Sequence, residues 1–233
     1  MEQNSIVKSI RACNACEWFG ETDCMLGAIG PICPECGETT ELCTPEVEPE
    51  LESFSDFINN LATEIHTECI RKGWWDDMNR DIYQTLQLVN TEIAEATEGV
   101  RKGLMDDHLP HRIMEEVELA DAIIRLLDLA GRYGWDYDEL AIGDLKNFDD
   151  ITSEAGHHFI CTRAVIYLGT AIQFNDEPKV INLCYSEAIN YLLHVGKLRG
   201  YEVLAALREK FEYNKTRKDH TREARAAEGG KKF

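Results

Sequence analysis

The stretch IYQTLQLVNTEIAEATEGVRKG, from Ile82 to Gly103, repeats apolar residues at intervals of three and four. This spacing places them on one face of an α-helix of about five turns that ends near Gly103. The apolar series consists of Ile82, Leu86, Val89, Ile93, Ala96 and Val100. A helix with one apolar face must bury that face against other elements, so the stretch predicts a helical bundle.

The same periodicity recurs on both sides of this stretch, and nothing after Ser53 alternates like a β-strand. Ser53 or Ser55 is a suitable N-cap for the first helix, and Pro110 is a start signal ahead of the third. The predicted helices cover about 54–65, 82–103, 113–127, 154–174, 178–198 and 201–216. The pattern therefore predicts an all-α fold for this part of the chain.

Six of the nine cysteines fall within residues 1–45. Two C-x2-C pairs, CNAC and CPEC, have the spacing of a zinc ribbon, in which four thiolates bind one tetrahedral Zn²⁺. The predicted ligands are Cys13, Cys16, Cys33 and Cys36. Redox-active pairs or plain thiols are the alternative, and Cys24 and Cys43 receive no assignment.

The acidic, proline-bearing stretch PEVEPELES separates the cysteine-rich region from the helices. It is typical of a linker. The predicted organisation is a zinc ribbon over 1–45, a linker over 46–53 and a helical domain over 54–233.

The chain carries 24 Lys and Arg against 43 Asp and Glu, a formal net charge of −19. Such a surface repels phosphate backbones and anionic lipid, so nucleic-acid and membrane binding are not expected. A nucleotide remains possible where a divalent cation stands between it and the protein. Since no signal-peptide pattern and no long apolar run occurs, a cytoplasmic protein is predicted.

Two rows of acidic residues at intervals of three lie on consecutive predicted helices. They are Glu92, Glu95 and Glu98 in the first row, and Glu115, Glu118 and Asp121 in the second. If the two helices are antiparallel, facing carboxylates could bind Mg²⁺ or Mn²⁺, both of which prefer oxygen ligands. Acidic rows are also common on solvated helix faces, and the spacing alone does not decide between these interpretations.

The pattern E-x2-E followed by E-x2-D resembles the MazG-like all-α nucleoside triphosphate pyrophosphohydrolases. The resemblance extends through LQLVNTEIAEATEGVRKG, EEVELADAIIRLLDLAGRYGWD and the closing KFEYNKTR and GGKKF, over about 55–140 and 201–232. This chain departs from the family by an insertion of about sixty residues, 141–200, before the closing motif. The resemblance implies that Glu92, Glu95, Glu118 and Asp121 bind Mg²⁺ and that water attacks the α-phosphorus, with Glu95 or Glu98 as base.

The resemblance also suggests side chains for binding the substrate. Lys210, Asn214 and Arg217 lie on one helical face and are similar to the family's phosphate-side motif. Further candidates are Arg125 and Lys102 for phosphates, Trp74 and Trp75 for stacking on the base, and His66 for a hydrogen bond. Each of these residue types is also common in a purely structural or solvated role.

Members of the family pool helices between subunits, which implies a homodimer or homotetramer. The added ribbon and the insertion resemble phage members, among them the MazZ type that converts dGTP to dGMP, so a phage protein acting in the host cytoplasm is the expectation. Two rival interpretations are a zinc-dependent adaptor with non-catalytic acidic helices and a related reaction on a phosphoribosyl nucleotide.

Overall fold

The computed structural model describes residues 52–77, 79–139, 148 and 150–231, together with the backbone of three short strands before residue 43. The chain divides into two compact units, Met1–Glu52 and Ser53–Phe233. Each unit has its own architecture.

The first unit contains a three-stranded antiparallel sheet in the order β2-β1-β3. The strands are β1 (Val7–Ala12), β2 (Phe19–Cys24) and β3 (Glu41–Leu42). Val7 is opposite Cys24, and Ala12 is opposite both Phe19 and Glu41. The predicted zinc ligands Cys13, Cys16, Cys33 and Cys36 lie outside the described residues, so the zinc ribbon stays a prediction.

The described part of the second unit is helical, which confirms the all-α prediction for this region. The helices are α1 (Phe54–Lys72), α2 (Ile82–Lys102), α3 (Met114–Tyr133), α4 (Glu154–Gln173), α5 (Pro178–Arg199), α6 (Val203–Thr216) and the short α7 (Arg222–Ala226). A 3₁₀ turn, Lys218–His220, precedes α7. No helix that the structure describes has both the length and the apolar character needed to cross a membrane.

Local chemistry explains where the first helices begin and end. The Ser53 side chain accepts a bond from the Asp56 backbone N–H at the start of α1, as predicted from the sequence. Gly103 ends α2 at φ 63°, a left-handed conformation that glycine adopts without strain. The third helix begins at Met114, four residues after Pro110, because Met105 forms a bridge with Ile113 and fixes the intervening residues as a loop.

Helix α3 lies at the centre of this unit. It packs against α1, α2, α5 and α6, while α2 also contacts α4. Gly131 lets α1 approach closely, since a Cβ there would lie 2.4 Å from the Cβ of His66. Because α3 is buried along most of its length, side chains on its different faces meet different neighbouring helices.

Candidate active site

Carboxylates from α2 and α3 converge in one place. Oxygen atoms of Glu92, Glu95 and Glu118 lie within 4.8 Å of one another. Glu92 and Glu118 are buried, whereas Glu95 is exposed at the edge of the group. We name these three residues the carboxylate cluster; an all-oxygen group of this size suits a hard divalent cation such as Mg²⁺ or Mn²⁺.

The loop between α2 and α3 sets the register that brings the cluster together. The Asp106 side chain, 3% exposed, accepts bonds from the backbone N–H groups of His108 and Leu109 at 2.9 and 2.6 Å. The Met114 N–H donates to the Leu104 carbonyl at 3.0 Å. Because the loop is bonded at both ends, the chain reverses direction and α3 returns antiparallel along α2.

Only part of each acidic row reaches the cluster. Each residue turns a helix by about 100°, so side chains six residues apart point about 120° apart. Glu98 consequently lies on the outer surface, where Lys102 and Arg101 contact it at 2.5 and 2.7 Å. Neither Glu98 nor Lys102, both predicted site residues, lines the cavity formed by the described residues.

The cluster is electrostatically unfavourable as it stands. Burial, and then the neighbouring Asp121 carboxylate, raise the pKa of Glu118 to about 9, although Lys210 opposes them. Partial burial and the Glu92 carboxylate raise the pKa of Glu95 in the same direction. A cation bound between these groups would remove the repulsion and favour their ionised forms.

Asp121, the fourth acid of the motif, lies beside the cluster and pairs with α6. Its oxygens lie 3.2 Å from the Lys210 Nζ and 3.4 Å from the Asn214 amide nitrogen. Lys210 is 1% exposed and also lies 3.4 Å from Asp106. Burial lowers the pKa of this lysine, but the carboxylates of Asp121, Glu118 and Asp106 outweigh it and raise the pKa, which keeps the ammonium charged.

The cluster opens into a cavity of about 430 Å³, a size typical of small-molecule sites. Lysines and arginines outnumber the acids along its wall, in a chain whose net charge is −19. The cations are Lys72, Arg80, Arg125, Lys210, Lys215, Arg217 and Lys231; the acids are Glu68, Glu92, Glu95, Glu118, Asp121 and Asp128. The excess is one charge, so the wall would suit a ligand with several negative charges once a divalent cation is bound at the cluster.

Four of the five predicted phosphate-binding residues line this cavity, and Lys102 does not. Lys210, Asn214 and Arg217 line it, and so does Arg125, whose Nε donates to Glu92 at 2.6 Å. Arg217 is held by Asp219 at 2.7 Å. The segment between α3 and α6 does not keep Lys210, Asn214 and Arg217 from the cavity.

One part of the cavity wall is apolar. Trp74 lines it together with Ile65, Leu88, Ile124 and Phe211. The guanidinium of Arg225 lies 4.2 Å from the centre of one Trp74 ring, and His220 meets the indole edge-on at 5.3 Å. Trp74 is therefore held in place by the C-terminal segment and presents an aromatic surface to the cavity.

Trp75 and His66 were predicted as ligand contacts, but they lie behind the wall. Both bond to Asp128, at 2.9 Å from the Trp75 indole nitrogen and 2.8 Å from the His66 Nδ1. Trp75 is 5% exposed, and neither side chain lines the cavity. Of these three residues only Asp128, which the sequence did not single out, lines it.

Several residues that line the cavity were not predicted from the sequence, because they lie outside the periodic stretches. His108 belongs to the loop before α3, Arg80 precedes α2, and His220 and Lys231 follow α6. Burial and the nearby Arg217 lower the pKa of His220 to about 3, so its ring is neutral at pH 7. Lys231 belongs to the GGKKF ending, and the resemblance of that ending to the family could have indicated Lys231 as a candidate site residue.

Comparison of the chain with protein-family models, curated proteins and solved structures gave no match. The resemblance to the MazG-like enzymes therefore depends on the motifs quoted above.

Proposed function

We propose that this protein is a Mg²⁺- or Mn²⁺-dependent nucleotide pyrophosphohydrolase, which converts a nucleoside or deoxynucleoside triphosphate to the monophosphate and pyrophosphate. The observation that carries the proposal is the carboxylate cluster beside a cavity rich in lysine and arginine. Metal ligands and phosphate-binding cations are what hydrolysis of a phosphoanhydride requires.

The side chains present fit a divalent metal ion. Glu92, Glu95 and Glu118 would hold it, with Asp121 as the fourth acid that the family resemblance implies. When bound, the ion would neutralise phosphate oxygens and lower the pKa of a water molecule. The raised pKa of Glu118 supports this assignment, because a bound cation stabilises carboxylates that lie close together.

Among the acids of the cluster, Glu95 is the best general base. It is exposed at the edge of the cluster, so a water molecule can reach it, and a carboxylate oxygen of Glu95 that does not bind the metal could accept the proton. The water oxygen attacks the α-phosphorus, the bond to the bridging β-phosphate oxygen breaks, and the water proton passes to Glu95. Glu98, the other predicted base, faces away from the cavity and has no part in this proposal.

Cations from α3 and α6 would hold the phosphates. Lys210 and Arg217 face the cluster from α6 and the residue after it, and Arg125 faces it from α3. One arginine side chain can bind two phosphate oxygens at once, whereas lysine supplies a point charge. Together they would hold the β- and γ-phosphates and stabilise the leaving pyrophosphate.

The apolar wall would receive the nucleoside. Of the two tryptophans predicted for stacking, Trp74 lines the cavity and offers a flat surface on which a base can stack. A purine deoxynucleotide such as dGTP is the expectation from the resemblance to the phage members of the family.

Turnover of a panel of ribo- and deoxynucleoside triphosphates with Mg²⁺ tests the proposal. Pyrophosphate is detected as phosphate after addition of pyrophosphatase, and chromatography identifies the nucleotide product. We expect Glu95→Gln to lower kcat by about 10²–10⁴-fold, the usual contribution of general acid–base catalysis. Glu98→Gln is the matched control, since it changes the same residue type one turn along α2, and it should retain wild-type turnover.

Two other results would contradict the proposal. If the folded protein is inert toward every triphosphate, the adaptor interpretation of the acidic helices is favoured. If only a phosphoribosyl nucleotide is cleaved, the reaction is related but the substrate class is different.

For the first unit we propose one Zn²⁺ bound by Cys13, Cys16, Cys33 and Cys36. Elemental analysis of the purified protein should find about one zinc per chain. Simultaneous replacement of Cys33 and Cys36 by serine should remove it, whereas full zinc content in that variant would exclude this ligand set.

A further inference from the structure

A buried carboxylate lies one turn before the carboxylate cluster on α3. Glu115 is 1% exposed, and both of its oxygens accept bonds. The His158 Nε2 lies 3.0 Å from one oxygen, and the Tyr201 hydroxyl donates to the other at 2.6 Å. A buried carboxylate is tolerated only when it is bonded. These contacts therefore fix the start of α3 to α4, through His158, and to Tyr201, which follows α5.

The imidazole of His158 also reaches α2. Its Nδ1 lies 2.9 Å from the Thr97 hydroxyl oxygen, and the ring is 2% exposed. A single buried side chain of α4 therefore contacts both helices that supply the cluster. Neither His158 nor any other described residue of α4 or α5 lines the cavity.

These contacts are close to the cluster along both helix axes. At a rise of 1.5 Å per residue, Thr97 lies about 3 Å beyond Glu95 along the α2 axis, and Glu115 lies about 4.5 Å before Glu118 along the α3 axis. Functional groups must be held to within about 0.5 Å of their working geometry. A bond that fixes α2 against α3 within one helical turn of the cluster would therefore control the distances between the cluster's oxygen atoms.

We propose that His158 is a positioning residue, which fixes α2 against α3 and thereby sets the spacing of the Glu92, Glu95 and Glu118 carboxylates. The inference rests on the proposed function, because the spacing matters only if the cluster binds a metal ion. It gives the inserted helices α4 and α5 a role in the site although they contribute no side chain to the cavity.

The neighbouring histidine provides a matched control. His157 is on the same helix and similarly buried, at 5% exposure. Its ring stacks on Phe148 at 5.1 Å, and its Nδ1 lies 3.1 Å from the Arg199 guanidinium. Both partners lie within the inserted segment. Arg199 also pairs with Glu115 on α3 at 3.5 Å, but that ion pair does not require the His157 ring, so loss of His157 disturbs α4 and α5 without removing a bond to α2 or α3.

Mn²⁺ affinity, measured by electron paramagnetic resonance in the absence of nucleotide, tests the inference on the full chain. We expect His158→Ala to weaken Mn²⁺ binding about tenfold, as loss of an outer-shell partner of a metal site does. Thr97→Val, which keeps the side-chain shape, should have the same direction of effect with the helical circular dichroism unchanged. His157→Ala should lower the unfolding temperature but leave the Mn²⁺ affinity as in the wild type.

The inference is wrong if folded His158→Ala and Thr97→Val bind Mn²⁺ like the wild type, or if His157→Ala weakens binding equally. Hydrogen exchange separates its failure from failure of the proposed function. A wild-type protein that binds no Mn²⁺ and cleaves no nucleotide refutes the function. Even then, amides of 93–99 and 114–120 should exchange faster in His158→Ala than in His157→Ala, and equal rates would refute the positioning role itself.

Discussion

Glu115 and Glu118 lie one turn apart on α3, and both are buried, at 1% and 6% exposure. Burial by itself would raise the pKa of both carboxyls. At Glu115 the bonds from His158 and Tyr201 outweigh burial, and the pKa is lowered. At Glu118 the nearby Asp121 carboxylate adds to burial, and the pKa rises to about 9.

The comparison separates a carboxylate that is already bonded from one that a bound cation would stabilise. Glu115 already has donors for both oxygens, so it stabilises the fold as it stands. Glu118 faces other acids, and a cation would supply what the protein itself does not. Strongly perturbed acids in a cavity are typical of functional sites, and the neighbouring turn shows that burial alone is not the cause.

The largest expected effect is on stability, from Glu115→Ala. Removing the carboxylate leaves the His158 and Tyr201 donors without their partner, which costs about 1–3 kcal/mol for each buried donor. Urea unfolding monitored by circular dichroism measures the change. A loss below about 1 kcal/mol would mean that the His158 and Tyr201 contacts contribute little, and the comparison would fail.

A different effect is expected from Glu118→Gln. The amide is neutral, like the protonated carboxyl it replaces, so the unfolding free energy without metal should change little near pH 7. Mn²⁺ affinity should fall by more than the roughly 100-fold that accompanies loss of an outer-shell partner, since a ligand itself is removed. Isothermal titration calorimetry measures the affinity, and wild-type binding by this variant would exclude Glu118 as a ligand.

The smallest effect concerns pH. Because the pKa of Glu118 is raised above its unfolded value, the folded chain binds more protons than the unfolded chain, and stability falls as pH rises toward about 9. The contribution is at most about 1.4 kcal/mol per pH unit. The window from pH 7 to pH 9 isolates it, since histidines with lowered pKa values, such as His220, act in the opposite direction below pH 7.

Thermal unfolding of the metal-free wild type and Glu118→Gln across that window measures the difference. The wild type should lose stability more steeply with pH than the variant. Added Mg²⁺ should stabilise the wild type more at pH 9 than at pH 7, because it binds the ionised form. Equal slopes for the two proteins would show that the Glu118 carboxyl does not hold its proton in the folded chain.

The sequence predicted the helices well because their boundaries depend on neighbouring residues. Ser53 caps α1 and Gly103 ends α2 through contacts within one turn of the chain. Helix α3 begins at Met114, within one residue of the predicted start, although the bridge between Met105 and Ile113 joins residues eight apart and has no periodic signal.

The candidate site was predictable in part. Facing acidic rows indicated the carboxylate cluster, and the i, i+4, i+7 spacing indicated that Lys210, Asn214 and Arg217 share a face. The spacing of three did not reveal which members of each row would meet, because such a row winds around its helix by about 60° at every step. Glu98 therefore reaches solvent, and Glu115 reaches α4.

The sequence by itself determined the helical content, the approximate helix bounds and the acidic and basic residues available for a site, because these follow from spacing along one helix. Only the tertiary structure decided that Glu118 faces other acids while Glu115 faces His158, that Asp121 pairs with Lys210, and that Trp74 rather than Trp75 lines the cavity. The physical reason is that the state of a buried charge depends on the groups packed against it, and those come from distant parts of the chain.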